Sequence, residues 1–191
     1  VTSVVDATPD CISLVTPEDF PMPPGGLNIR LLDDRIIQEA RLHDFKRFAA
    51  EAFGRANRLD KRMLGKKGAR IGLVSAGKNW LDLVHALDLL GIDAPTAERL
   101  GISAYKVAMT WPLDMKSMRE WAEGLDLIIV VEEKRKLLEI QVKEAIFDDR
   151  KGRRVYGWKN DRDEELFPTR YALEPVMIAQ KLGAVFAEEG I

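Results

Sequence analysis

The chain has 191 residues, 46% of them hydrophobic and 31% charged, with a net charge of −2. That balance fits a globular domain able to bury a core, and it carries no basic excess of the kind nucleic-acid binding requires. Cys11 is the single cysteine, so an intrachain disulfide, a cysteine-ligated zinc site and an iron–sulfur cluster are all excluded, and the thiol poverty suits a reducing cytoplasm.

Residues 1–15 read as two short strands, 1–6 and 11–15, around a Pro9-Asp10 turn. No basic region followed by an apolar stretch opens the chain, so no signal peptide is visible. No apolar run reaches the roughly 20 residues a membrane helix needs. The first residue is valine rather than methionine, which points to trimming of something longer. Thr16-Pro17-Glu18-Asp19-Phe20-Pro21-Met22-Pro23-Pro24-Gly25-Gly26 is too rich in proline and glycine for a helix or a central strand. It predicts an extended connector over residues 1–32, whose arm belongs with a preceding domain.

Residues 33–57 predict one long amphipathic helix, capped by Asp33 or Asp34, with Phe45, Phe48, Ala49, Ala52, Phe53 and Ala56 on one apolar stripe. A basic segment follows: Arg55, Arg58, Lys61, Arg62, Lys66, Lys67 and Arg70 against Asp60. Charge runs of this kind are usually solvated linker, with an anion or partner site as the sharper reading. The helix and this segment together make a linker unit, residues 33–68.

From residue 69 to 191 the pattern alternates between strand and helix. Strands are expected at 70–75, 103–109, 125–131 and 155–158. Helices are expected on the stripe Trp80, Leu83, Val84, Leu87 and Leu90, over Ala94–Leu100, from Asp114 to Ala122, on Leu138, Val142, Ala145 and Ile146, and from Pro175 through Phe186. Leu127-Ile128-Ile129-Val130-Val131 is apolar on both faces, which suits the middle of a mostly parallel sheet. Alternation of this kind predicts an α/β three-layer sandwich.

Gly72-Leu73-Val74-Ser75-Ala76-Gly77-Lys78-Asn79 has the spacing of a phosphate-binding P-loop up to its last residue. Asn79 stands where a serine or threonine would bind magnesium, and Gly72 falls inside the predicted strand, so the alternative of a nucleotide-binding protein using Gly72 to Lys78 is weak. The bland reading is a short turn in which Gly77 supplies an unusual backbone angle. His43 and His85 lie on predicted helices, with no nucleophile or carboxylate pair placed beside them. In open α/β sheets ligands gather beyond the carboxyl ends of the strands. Ser75, Gly77, Lys78, Trp111, Glu132, Glu133, Lys134 and Arg135 are therefore expected along one edge, as a ligand site or a domain interface.

The quoted residues also carry a resemblance. Pro23-Pro24-Gly25-Gly26-Leu27-Asn28-Ile29-Arg30, Glu39-Ala40-Arg41-Leu42-His43 and Arg55-Ala56-Asn57-Arg58-Leu59-Asp60 resemble the bacterial single-chain indolepyruvate ferredoxin oxidoreductases. So do Ile71-Gly72-Leu73-Val74-Ser75-Ala76-Gly77-Lys78, Tyr105-Lys106-Val107-Ala108-Met109-Thr110-Trp111-Pro112-Leu113 and Val130-Val131-Glu132-Glu133-Lys134-Arg135. The resemblance implies that residues 69–191 form a transketolase carboxy-terminal-like domain, with a mostly parallel five-stranded sheet and one antiparallel edge strand. It implies a whole enzyme that decarboxylates aryl 2-oxoacids oxidatively, using thiamine diphosphate, magnesium and iron–sulfur clusters, with coenzyme A and ferredoxin as co-substrates, and assembling as a homo-oligomer. The Gly-Asp-Gly signature for the diphosphate is missing from these 191 residues, as are the cluster cysteines. No catalytic residue of the family transfers onto this chain. The expectation is a non-catalytic assembly domain with no cofactor of its own; a free-standing regulatory module differs from it only in lacking the family context.

Overall fold

A computed structural model describes residues 4–6, 8, 13–28 and 30–191. The chain divides into two compact units, Val1–Arg58 and Leu59–Ile191.

In the first unit, α1 (Arg35–Arg41) and α2 (Arg47–Ala56) flank a π-helical turn, Leu42–Lys46. The expected single helix is therefore helical along its length but widened in the middle, where a π turn takes one extra residue and rotates the stripe beyond it. Asp34 caps α1, its carboxylate accepting from the Ile37 N–H at 2.9 Å. The described part of the arm, residues 4–6 and 13–15, forms no strand. The reason is local for Val15: the Asn57 side chain takes both its N–H (2.8 Å) and its C=O (2.9 Å), as a neighbouring strand would have done. Cys11 and the expected Pro9-Asp10 turn lie outside the described residues. Arg55 donates to Asp19 at 2.7 and 3.0 Å, which fastens the connector to α2.

The second unit carries the sheet. Its elements are β1 (Lys61–Leu64), β2 (Ile71–Ala76), α3 (Gly77–Leu89), α4 (Ala94–Leu100), β3 (Ile102–Val107), α5 (Met115–Ala122), β4 (Leu127–Val131), α6 (Leu137–Ile146), β5 (Arg154–Tyr156) and α7 (Pro175–Glu188). The strand order is β1-β3-β2-β4-β5, with β1 antiparallel to β3 and every other pairing parallel. Period-two alternation fills both faces. Ile71, Leu73, Leu127, Ile129 and Val131 meet α3 and α7, while Val74, Ile128 and Val130 meet α5 and α6. All five residues of β4 are buried, and each such side chain contributes roughly 1.5–3 kcal/mol relative to exposure. The mostly parallel three-layer fold expected from the pattern is the fold observed, and β1 is the antiparallel edge strand that the resemblance implied.

The stretch expected to be basic linker supplies β1. Its first three residues are exposed, and the ladder shifts register between Arg62 and Leu64. Charge and a bulge are the usual means of keeping an edge strand from pairing with another chain. The basic run is also broken into separate ion pairs, Lys66 with Glu98 and Lys67 with Glu123.

Candidate functional site

The connections leaving β2 and β4 diverge. β2 leads through α3 on one face, and β4 leads through α6 on the other. Adjacent strands with opposed connections create a crevice at their carboxyl ends, where open α/β folds bind ligands. Ser75 sits beneath it, fully buried, donating its hydroxyl to the Val131 carbonyl at 2.7 Å and so bridging the two strands. Gly77 opens α3 with a φ of +55°, and a Cβ there would meet nothing within 4 Å.

Lys78 and Glu133 face one another across the crevice at 3.6 Å. Lys78 donates to Asp82 Oδ2 at 2.7 Å, the i,i+4 partner on its own helix, and to the Leu173 carbonyl at 2.9 Å. Glu133 accepts from the Leu173 N–H at 3.0 Å and from Asn79 Nδ2 at 3.2 Å. Partial burial pushes the Glu133 carboxyl up, but the Leu173 N–H, the Asn79 amide and the Lys78 and Lys134 ammonium groups outweigh it and leave the group below the usual carboxylate range. The Asp82 carboxylate, chiefly by its hydrogen bond, raises Lys78 above its ordinary value.

The other expected residues serve elsewhere. Glu132 turns to α6 and accepts from the N–H groups of Leu138 (2.8 Å) and Glu139 (3.2 Å), a cap for the open end of that helix. Burial still holds its carboxyl above the usual range. Lys134 adopts a left-handed φ of +69°, and the Arg135 N–H closes the turn on the Glu133 carbonyl at 2.8 Å. Trp111 is 57% exposed. Its loop is tied to α6, because Gln141 donates to the Thr110 carbonyl at 2.8 Å and accepts from the Leu113 N–H at 3.1 Å. His43 and His85 are both exposed on their helices. Asn79, Asp82, Gln141 and Leu173 were absent from the sequence-derived set. Of these only Asp82 had a readable signal, its i,i+4 spacing from Lys78. Asp60 is a fifth, holding the turn after β3 through the N–H groups of Ala108 (2.8 Å) and Met109 (3.1 Å).

The P-loop alternative does not survive this geometry. β2 runs to Ala76 and α3 starts at Gly77, so no residue is left between them to wrap a phosphate. Lys78 is engaged by Asp82 and Leu173, and Gly72 is small for another reason: a Cβ there would lie 2.7 Å from the Trp121 ring. A diphosphate does not fit the crevice either, since two carboxylates line it and its lysine is bonded to one of them and to the Leu173 carbonyl. Among the described residues no group of three or more His, Cys, Asp or Glu is placed to hold a metal. Nor is any helix among them long and apolar enough to cross a membrane.

A separate, mostly apolar groove of about 520 Å³ runs beside the edge strand, with Met63, Leu64, Trp80, Val84, Leu87 and Ile92 in its lining and Asp88 and Asp93 also there.

A family model described as an indolepyruvate oxidoreductase domain matches residues 61–191. No curated protein matches the chain. Among solved structures, the chain is similar to a split-gene transketolase in an inactive β4 tetramer, at 16% identity and a TM-score of 0.46, covering 67% of this chain and 41% of that one. It is also similar to 2-oxoglutarate:ferredoxin oxidoreductase from Magnetococcus marinus, solved with 2-oxoglutarate, coenzyme A and succinyl-CoA bound, at 16% identity and a TM-score of 0.46, covering 78% of this chain and 21% of that one. The chain thus spans less than half the length of either structure.

Proposed function

Since the chain belongs to the indolepyruvate oxidoreductase domain family, we propose that it is a structural, assembly domain of a larger 2-oxoacid oxidoreductase and holds no reacting centre itself. On this reading the whole enzyme is cytoplasmic and homo-oligomeric. It decarboxylates aryl 2-oxoacids oxidatively with thiamine diphosphate and magnesium bound on other domains, and its iron–sulfur clusters deliver electrons to ferredoxin while coenzyme A takes the acyl group. On this reading residues 1–32 are the connector, 33–58 the linker helices, and 59–191, with β1 included, the transketolase carboxy-terminal-like domain.

The observation that carries the reading is the apolar surface of the first unit. Leu31 is 99% exposed, Leu32 94% and Ile36 78%, and Phe45, Phe48 and Phe53 are each more than a third exposed. So many exposed large apolar side chains on one small unit support a surface to be covered by another protein surface. The crevice, closed by the chain's own residues, points the same way.

The test is the thermal midpoint of the 191-residue chain with magnesium–thiamine diphosphate, coenzyme A and magnesium-ATP in turn. A ligand at 100 times its dissociation constant stabilises by about 2.7 kcal/mol, a rise on the order of 5 °C for this size. An assembly domain gives no rise with any of the three. A rise with thiamine diphosphate contradicts the proposal, and one with magnesium-ATP restores the nucleotide reading.

A further inference from the structure

We infer that residues 166–174 form a strap that starts beside the chain after β5 and ends with Leu173 as a built-in occupant of the crevice between β2 and β4, closing the fold's ordinary ligand position and clasped there by Lys78 and Glu133. The strap is gripped by its backbone in both polarities at one residue. The Leu173 N–H goes to Glu133 and its C=O takes the Lys78 ammonium. Glu133 comes from the turn after β4 and Lys78 from the first turn of α3, so the strap is bonded to both sides of the crevice. The Leu173 side chain is fully buried, and Leu166 and Phe167 are buried in the same cluster under α3 and α7. A ligand entering here would displace that leucine and break two charge-assisted hydrogen bonds.

Between the anchors the strap is open. Arg170 is exposed, and Tyr171 is 86% exposed with a left-handed φ of +64°. A non-glycine residue in that region is strained and holds it only when its surroundings impose it. Tyr171 gains no burial in return, so the grip on Leu173 two residues on is what imposes the path. The charged groups around the clasp are Asp82 and Lys78 on α3 and Lys134 beside Glu133. The clasp lies wholly within the second unit and stands or falls independently of any docking role for the first.

Two local readouts in the full chain test it: hydrogen exchange at the Leu173 amide, and trypsin cleavage after Arg170. In Glu133→Ala the Leu173 amide loses its acceptor and exchanges roughly tenfold faster or more, and cleavage after Arg170 accelerates with it. Lys78→Met gives a smaller rise at the same sites. Amides of the central strands, such as Val74 and Ile129, are accelerated less than Leu173 in both, only by the small loss of global stability. If Glu133→Ala fails to fold, Glu133→Gln keeps an acceptor while removing the charge, and the same local pattern is expected with a smaller rise. Unchanged protection at Leu173 in the folded variants overturns the clasp. So does a rise shared equally by Leu173, Val74 and Ile129, because the two side chains would then contribute only to global stability.

Discussion

Gly72→Ala tests whether the glycine of the P-loop-like stretch exists for packing. The added Cβ would lie 2.5 Å from Leu125 Cδ1 and 2.7 and 2.9 Å from two atoms of the Trp121 ring. Carbon atoms settle at about 3.5–4.0 Å, so the ring must retreat by roughly 1 Å. It has little freedom to do so. Trp121 is buried, its Nε1 donates to Ser103 Oγ at 3.0 Å, and its ring rests on Tyr105 with centroids 5.0 Å apart. Overpacking a core costs about 1–3 kcal/mol, and losing the indole hydrogen bond adds about 1 kcal/mol. Restricting the unfolded chain returns about 0.4–1 kcal/mol. The net loss is ~1–3 kcal/mol, a fall of roughly 3–10 °C in the thermal midpoint for a chain of this length. Circular dichroism and tryptophan fluorescence, followed through the melt, measure it. Replacing Trp121 by Phe removes the offending ring atoms, so the alanine costs less in that background than alone. A midpoint unchanged or raised by Gly72→Ala refutes the close approach.

Other perturbations follow from the same geometry. Ser75→Ala removes the hydroxyl that bridges β2 to β4 and leaves the Val131 carbonyl without that donor; denaturant unfolding should show a loss of about 1 kcal/mol with the slope unchanged. Asp34→Ala removes the cap of α1 and costs about 0.5–2 kcal/mol, seen as reduced helicity with the sheet unit's melt intact. Glu133 titrates below its ordinary value in the fold, so its stabilisation is complete above the unfolded value of roughly 4.3 and is lost as pH falls through the lower folded one. Glu133→Gln should therefore be less stable than wild type by ~1 kcal/mol near neutrality, with the gap closing in acid. A gap that does not narrow as pH falls below the unfolded value removes Glu133's charge from the clasp.

Much of the second unit was legible because its signals are local. Leu127–Val131 reads as a central strand since both faces of β4 are covered, and α4 spans Ala94–Leu100 and stops at a left-handed Gly101. β1 was hidden because an edge strand buries almost nothing, so Lys61-Arg62-Met63-Leu64 carries charge where a central strand would carry apolar side chains. The π turn leaves no compositional mark. At the crevice, Ser75, Gly77, Lys78 and Glu133 follow from position at strand ends. Their partner Leu173 does not, since it lies 95 residues from Lys78 and 40 from Glu133 and is held by its backbone, and backbone recognition leaves no trace in side-chain identity. Glu132 and Glu133 look equivalent in sequence, yet in the turn after β4 one bonds the first N–H groups of α6 and the other faces the crevice.

The docking face is tested most directly by replacing its three most exposed apolar residues together: Leu31→Ser, Leu32→Ser and Ile36→Ser. The readouts are binding of a fluorescent apolar-surface dye and the thermal midpoint. With Leu31, Leu32 and Ile36 exposed to 99%, 94% and 78%, little packing within the chain is lost, so dye binding should fall while the midpoint stays put. A midpoint lowered by several degrees, or dye binding that does not change, contradicts a face held open for another domain.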